Sequence, residues 1–382
     1  MKRSLVLASV ASMIDQFNMP NIKLMLELGY KVDVATNFVE GSTCSDERIA
    51  ALKQTLAEMG VGCYQIDFAR NVLRVEQNFR AYRQTRKLIK DNKYDLIHSH
   101  SPIGGLLSRI AAKDMRKNGT RVIYTAHGFH FFKGAPKLNW LIFYPIEKIA
   151  SRWTDVLITI THEDYRLAQK KMNAKKVVYV PGVGIDTRSF EFDEQSVETR
   201  KRIRTELGIS DSNTVILSVG ELNKNKNHEI ILRALAMLKN QNIHYLIAGR
   251  GVLKSYLEEL AESLGIQGQL HLLGFRSDVK DLFRSADIFA HPSFREGLSV
   301  AVMEAMASSL PIICTNIRGN TDLIDNGKGG GWFDPNDVNS ACEALENILK
   351  YSDKNALGQY NLNKAKILDI REILKTMKEL YS

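Results

Sequence analysis

Cysteine and proline are scarce in this 382-residue chain, which holds four cysteines and eight prolines. Cys44, Cys63, Cys314 and Cys342 are scattered without a ligand-like pair, so neither a disulfide framework nor a cysteine-rich zinc site is expected. A reducing cytoplasm is the default compartment. Long apolar runs are also missing. The first, Leu5 to Ala11, meets Ser12 and then Asp15, far short of the roughly 20 residues a membrane helix needs. Met1-Lys-Arg-Ser leads into that run without a persuasive cleavage site, so no secretory leader is expected. Repeats, low-complexity tracts and concentrated basic runs are absent. A nucleic-acid-binding module is therefore disfavoured, although 52 Lys plus Arg against 43 Asp plus Glu give a net charge of +9 that suits polyanions or an anionic membrane face.

What is present is material for several packed cores. The chain is 44% hydrophobic and 25% charged, an ordinary globular balance, and it has room for two or three domains of roughly 100–200 residues. Residues 4–10, 31–36, 96–100, 122–125 and 156–159 read as strands, alternating with helices over 18–28, 80–90 and 105–115. The alternation restarts at 215–220 and runs through 312–315. It predicts an α/β protein with two doubly wound domains. The boundaries are placed at 1–190, 191–360 and a C-terminal helix within 361–382 that packs back on the first domain. Ligands of such folds gather outside the carboxyl ends of the strands, so an interdomain cleft is the expected site.

The sharpest signal is Phe294-Arg-Glu-Gly-Leu-Ser-Val-Ala-Val-Met-Glu304, which leaves a strand and enters an apolar helix. A carboxylate there is costly unless it is paired or accepts hydrogen bonds, and the hydroxyls of a sugar or ribose would satisfy Glu304. Glu296 sits earlier, in the loop, where the amides of Gly297, Leu298 and Ser299 can contact ligand oxygens. Gly220-Glu-Leu-Asn-Lys-Asn-Lys226 follows the first strand of the second domain, and Lys226, with Lys224 behind it, can neutralise a diphosphate. Gly249-Arg250 and Phe275-Arg276 follow the next two strands, one offering a close backbone approach and a cation, the other a stacking edge for a base. Asn316 to Asp322 offers a further polar turn around Gly319. In the first domain His127 and His100 end strands, while Asp15 and Gln16 are placed in the loop after the first strand to meet acceptor hydroxyls. Phe129, Phe131, Phe132, Trp140, Phe143 and Tyr144, mixed with Lys133, Lys137 and Lys148, would suit an anionic lipid interface. Each feature also has a plain structural reading: a capped or paired glutamate, a solvated lysine, a core phenylalanine, a structural histidine.

Taken together these segments resemble retaining glycosyltransferases of the GT-B architecture, family 4, and look like bacterial enzymes that build capsular or other surface polysaccharides. Arg295 to Ile313 resembles the family's paired-glutamate signature, and Gly220 to Lys226, Ala248 to Gly251, His127-Gly128 and Arg318-Gly-Asn320 follow in family order. The resemblance implies Glu296 at the donor sugar, Glu304 at the ribose, Lys226 at the diphosphate and His127 near the reacting sugar. It implies a donor such as a UDP-sugar and an acceptor that is a soluble or polyprenyl-diphosphate-linked glycan. It also implies retention at the anomeric carbon, no required metal or cofactor, and a cytoplasmic enzyme peripheral to the inner face of the membrane. Three positions depart from the pattern. Glu221 stands where many relatives have Arg, Ser9 to Asp15 replaces a glycine-rich opening, and Ser309 replaces a frequent Gly. A nucleotide-sugar epimerase and a non-catalytic sugar-nucleotide-binding protein remain the alternatives.

Overall fold

The computed structural model describes residues 1–41 and 44–382. These divide into two compact units, Met1–Val183 with Arg371–Ser382, and Gly184–Ile370.

In the first unit β1 (Arg3–Val10), β2 (Lys31–Asn37), β3 (Gly62–Gln65), β4 (Leu96–His100), β5 (Arg121–Ala126), β6 (Val156–Thr159) and β7 (Lys176–Tyr179) form a parallel sheet. Their order is β3-β2-β1-β4-β5-β6-β7. In the second, β8 (Thr214–Val219), β9 (Ile243–Ala248), β10 (Leu270–Gly274), β11 (Ile288–His291), β12 (Ile312–Thr315) and β13 (Gly330–Phe333) are ordered β10-β9-β8-β11-β12-β13. The central strands β1, β4, β8 and β11 are buried along most of their length because helices cover both faces; β1 and β8 are mostly apolar runs, while β4 and β11 begin apolar and end on His100 and His291. Edge strands β3 and β7 are short and partly exposed, and with β13 they carry too weak a pattern to be read from the sequence.

Strand order reverses between β1 and β4 and again between β8 and β11, with Val6 beside His98 and Leu217 beside Phe289. Loops leaving the two strands at such a switch point diverge, which opens a crevice above their carboxyl ends. The loops that follow β8 and β11 hold Lys226 and Glu296.

The division falls between Val183 and Gly184 rather than near residue 190. Ile185 exchanges backbone hydrogen bonds with Leu368 and Ile370, and Thr187 donates to Asp369, tying this segment to the second unit. The C-terminal region is two helices, Lys354–Ala365 and Ile370–Tyr381, with a 3-10 turn at Lys366–Leu368 and extended Asp369 between them. The first lies in the second unit. The last buries Ile373, Met377, Leu380 and Tyr381 in the core of the first unit, where the Tyr381 hydroxyl meets His98 at 2.8 Å.

Two further expectations need correction. A helix, Ala11–Phe17, starts directly at the end of β1, so Asp15 and Gln16 lie within a helix and not in a loop. With no glycine between Ser9 and Asp15 the chain has no reason to loop, and Ser9 Oγ instead accepts from the Gly104 amide and the Ser101 hydroxyl. The aromatic stretch does not face outward: Phe129 and Phe131 are core, and Trp140, Phe143 and Tyr144 pack against them. Large planar side chains bury the most apolar area, so the helix turns them inward.

Candidate active site

In the second unit, the ends of β8, β9 and β10 are tied by backbone. The Gly220 amide donates to Ala248 and the Gly249 amide to Gly274. A Cβ on Gly249 would lie 1.8 Å from the Gly220 carbonyl oxygen, so only glycine permits the approach. The Lys226 stem runs over Gly220, where a Cβ would come within 3.1 Å of the lysine's Cε.

Asn223 caps the turn Lys224–Lys226 by accepting from the Lys226 amide, and Asn225 pins the turn to the next loop: its side chain donates to the Arg295 carbonyl at 3.0 Å, and its own carbonyl accepts from the Phe294 amide at 2.8 Å. This stitching brings Lys226 Nζ to 2.7 Å from Glu296 Oε1. His291, at the end of β11 and buried, places Nε2 3.3 Å from the same oxygen. Burial works to raise the Glu296 carboxyl, but the His291 hydrogen bond and the Lys226 charge outweigh it and hold the group well below the ordinary carboxylate range. Burial in turn lowers His291, leaving a neutral imidazole that donates Nε2–H, so the formal positive charge at Glu296 comes from Lys226. Glu296 is thus ionised and fixed.

Gly319, at φ +84°, lets the next turn press against this loop, since a Cβ there would stand 1.6 Å from the Gly297 carbonyl oxygen. Leu298 and Ser299 are buried at the start of helix Val300–Ala307, whose first amides have no intrahelical acceptor. Glu304 lies one turn further along. Among the described residues its carboxylate has no hydrogen bond or ion pair, and burial pushes its pKa up to about 7, with the charge of Lys280 opposing. The two glutamates therefore differ sharply: one is held ionised, the other poised between states.

Other residues singled out in the sequence take more varied places. Lys224 is exposed and lines a cavity of about 400 Å³ with Asn223, His228, Tyr256 and Phe294, a cavity that Lys226 does not line. Arg250 lies over the exposed Phe275 ring, 5.6 Å from its centroid. Arg276 is bound in bidentate fashion by Asp278. Glu221, in place of the arginine of relatives, accepts from the Asn223 amide group at 2.8 Å. Ser309 adopts φ +55°, which explains why glycine suits that position.

In the first unit His100 Nδ1 lies 3.1 Å from His127 Nε2, and the buried His100 Nε2 has no partner among the described residues. Burial lowers His127 to about 4 and His98 to about 3, so the cluster is neutral at pH 7. His98 is structural, bonded to Tyr381 and to Thr125 Oγ1 at 2.8 Å each. Asp15 is held by Arg48 through bonds of 2.8 and 2.7 Å, and Gln16 is exposed. His291 and Asn225 were not anticipated: Asn225 acts on a loop distant in sequence, His291 acts on the nearby Glu296 only because the loop after β11 folds back over the strand end, and neither belongs to a periodic pattern.

Comparison with known proteins sets this geometry in a family. Residues 22–188 match the model of Glycosyltransferase Family 4, and residues 199–363 that of Glycosyl transferases group 1. EpsD of Bacillus subtilis (strain 168), whose name assigns it as a glycosyltransferase, is 33% identical across 100% of this chain and 96% of its own. An Escherichia coli UDP-Gal:alpha-D-GlcNAc-diphosphoundecaprenol alpha-1,3-galactosyltransferase is 31% identical over 70% of this chain and 71% of its own. The crystal structure of Anabaena HepE in complex with UDP and glucose matches with a TM-score of 0.77 at 17% identity, covering 99% of this chain and 98% of that one. These matches, with the two parallel-sheet units, identify the chain as a GT-B glycosyltransferase belonging to the group 1 and family 4 transferases.

Proposed function

We propose that the protein transfers a sugar from a nucleoside diphosphate, a UDP-sugar by preference, to a sugar hydroxyl on a polyprenyl-diphosphate-linked glycan in surface polysaccharide synthesis. The observation that carries this reading is the combination of an ionised, lysine-bound Glu296 with a Glu304 that has no partner among the described residues and whose carboxyl is raised to about 7 on the adjoining helix. Lys226 has three N–H donors and spends one on Glu296, leaving two for diphosphate oxygens. Amides at the start of helix Val300–Ala307 add a second, uncharged set of donors. Glu304 takes the ribose hydroxyls, which supply the hydrogen bonds its burial requires. Phe275 with Arg250 offers a stacking face for the base. The first unit offers neutral His127, held by His100, to a sugar hydroxyl.

In the reaction the bond from the anomeric carbon to the diphosphate oxygen breaks and one to the acceptor oxygen forms. The departing phosphate takes the acceptor's proton. Lys226 and the helix amides stabilise the charge that grows on the leaving group, while Glu296 faces the positive charge that develops on the sugar. Retention by front-side departure and attack, without a metal, is the stereochemical course that this arrangement of groups serves. The UDP bound to Anabaena HepE and the diphosphoundecaprenol substrate named for the Escherichia coli relative support the choice of donor and acceptor.

The test is incubation with a panel of nucleotide sugars, with and without lipid-linked acceptors, followed by product mass and anomeric analysis. The expected product is a glycan one sugar longer, formed only with acceptor and with the donor's anomeric configuration. Interconversion of the free donor without acceptor would replace transfer with epimerisation.

A further inference from the structure

Two loops at one edge of the first unit's sheet enclose a basic hollow with an apolar rim. They follow β2 and β3, and Asn37, buried at the end of β2, stitches them together. Its side chain accepts from the Val39 and Glu40 amides at 3.0 and 2.9 Å and donates to the Phe68 carbonyl at 3.0 Å. Gln65, at the end of β3, adds to the stitch by accepting from the Phe38 amide at 2.8 Å. Past Phe68 the second loop runs into helix Val75–Asn92, whose Asn78 donates to the Asn71 and Val72 carbonyls. Between the loops lies a cavity of about 370 Å³, lined by buried Phe68 and by Arg70, Asn71 and Arg74.

The two guanidinium groups are not spent inside the fold. Arg70 is exposed and has no hydrogen bond or ion pair among the described residues, yet its stem has a fixed path. It passes over Gly41, at φ +79°, where a Cβ would stand 3.0 Å from the arginine's Cγ. Arg74 has only long contacts, 4.0 Å to Glu40 and 3.4 Å to Gln77. Around these cations Val39, Leu73, Val75 and Phe79 are 75%, 80%, 71% and 60% exposed. Large apolar side chains left in water on stitched loops mark a surface that an apolar ligand covers.

We infer that these loops hold the lipid carrier of the acceptor: Arg70 and Arg74 bind the diphosphate of a polyprenyl diphosphate, and Leu73, Val75 and Phe79 lie along its first isoprene units. The inference rests on the proposed transfer to a lipid-linked glycan and assigns residues to that acceptor. Guanidinium forks match phosphate oxygens in pairs, and an apolar rim beside them is complementary to an amphiphile with an anionic head and a hydrocarbon tail. The concave seat between two stitched loops takes a single headgroup. Its place in the sheet also suits the acceptor. The strands are parallel in the order β3-β2-β1-β4-β5, so the loops after β2 and β3 share one edge with His100, which ends β4, and His127, which follows β5. A glycan whose diphosphate is held at Arg70 extends along that edge toward His127.

The test is titration of the full chain with farnesyl diphosphate, a soluble diphosphate with a short isoprenoid tail, in saturating UDP so that the donor loops are filled. Saturable binding is expected, tighter than that of inorganic diphosphate or of farnesol. Arg70→Ala with Arg74→Ala should lower the affinity about 10- to 100-fold, the effect of losing charge-assisted bonds to phosphate. Leu73→Ser with Phe79→Ser should lower it about tenfold or more and leave the affinity for inorganic diphosphate as it was. All four side chains lie at the surface, and unchanged thermal melts will show that the fold is retained. Equal affinity of the wild type and the arginine variant for farnesyl diphosphate overturns the inference. If that variant instead loses adsorption to vesicles containing phosphatidylglycerol, the surface belongs to phospholipid. In turnover, the arginine changes should raise KM for a polyprenyl-diphosphate-linked glycan about tenfold more than KM for the same glycan without its lipid. A wild type that uses the lipid-linked glycan with a KM the arginine changes do not touch overturns the carrier site and leaves the proposed function standing. A wild type that uses only the lipid-free glycan overturns the proposed acceptor and the carrier site with it.

Discussion

Replacing Glu304 with Gln should make the protein more stable above neutral pH while weakening its hold on the donor. The carboxyl has a pKa raised to about 7 in the folded protein, against 4.5 for an ordinary glutamate. A raised value means that the folded state holds the proton more tightly, so the stabilisation is present below the unfolded value and is lost as pH rises through the folded one. Between pH 5 and pH 8 the wild type should lose about 2.5 kcal/mol through this one group, and Glu304→Gln should lose none of it. Urea unfolding of both proteins at the two pH values measures the difference, and the subtraction removes every other titrating group. Donor binding reports the same chemistry from the other side. If ribose hydroxyls donate to an ionised Glu304, binding of UDP at pH 7 must release about half a proton per site. Calorimetry in buffers of different ionisation enthalpy counts that proton, and Glu304→Gln should release none through this group. A variant-minus-wild-type stability that is flat with pH, or proton release that the substitution does not change, would refute the reasoning.

Other outcomes follow from contacts elsewhere. Gly249→Ala should destabilise the second unit by roughly 1–3 kcal/mol, because the new methyl collides with the Gly220 carbonyl oxygen and neither backbone can yield; a lowered urea midpoint is the readout. Ser309→Gly should stabilise by about 1 kcal/mol, since it relieves a left-handed conformation at φ +55°, and differential scanning calorimetry would detect the rise in melting temperature. Glu147→Ala should cost about 3–5 kcal/mol by leaving Arg109, fully buried against the Tyr124 ring, without its carboxylate; chemical denaturation measures the loss.

The alternation of apolar strands and amphipathic helices was enough to read both sheets' central strands and the loops that leave them, because parallel strands buried on two faces announce themselves as apolar runs. It did not reveal β3, β7 or β13, which are short and carry weak patterns, or the break at Asp369, just before the chain passes from the second unit back to the first at Arg371. In the site, Glu304 was legible as an acid in an oily helix. Its neighbour's state was not, since Glu296 depends on Lys226, 70 positions away, and on Asn225, whose contacts to Phe294 and Arg295 bring the two loops together. The reading of Asp15 as an acceptor contact overlooked Arg48, 33 positions on, which takes both carboxylate oxygens. Local pattern names the candidates. Long-range pairing decides which charges are spent inside the fold and which remain for a ligand. Asp15 and Arg276 belong to the first class, and Lys226, with two N–H groups unused among the described residues, to the second.

Calorimetric titration of UDP into the wild type and into Lys226→Ala tests most directly whether this group of loops binds a nucleoside diphosphate. The account predicts saturable 1:1 binding by the wild type and affinity reduced roughly 10- to 100-fold in the variant, the effect of removing a charge-assisted hydrogen bond to phosphate. Equal affinity in the two proteins would contradict it.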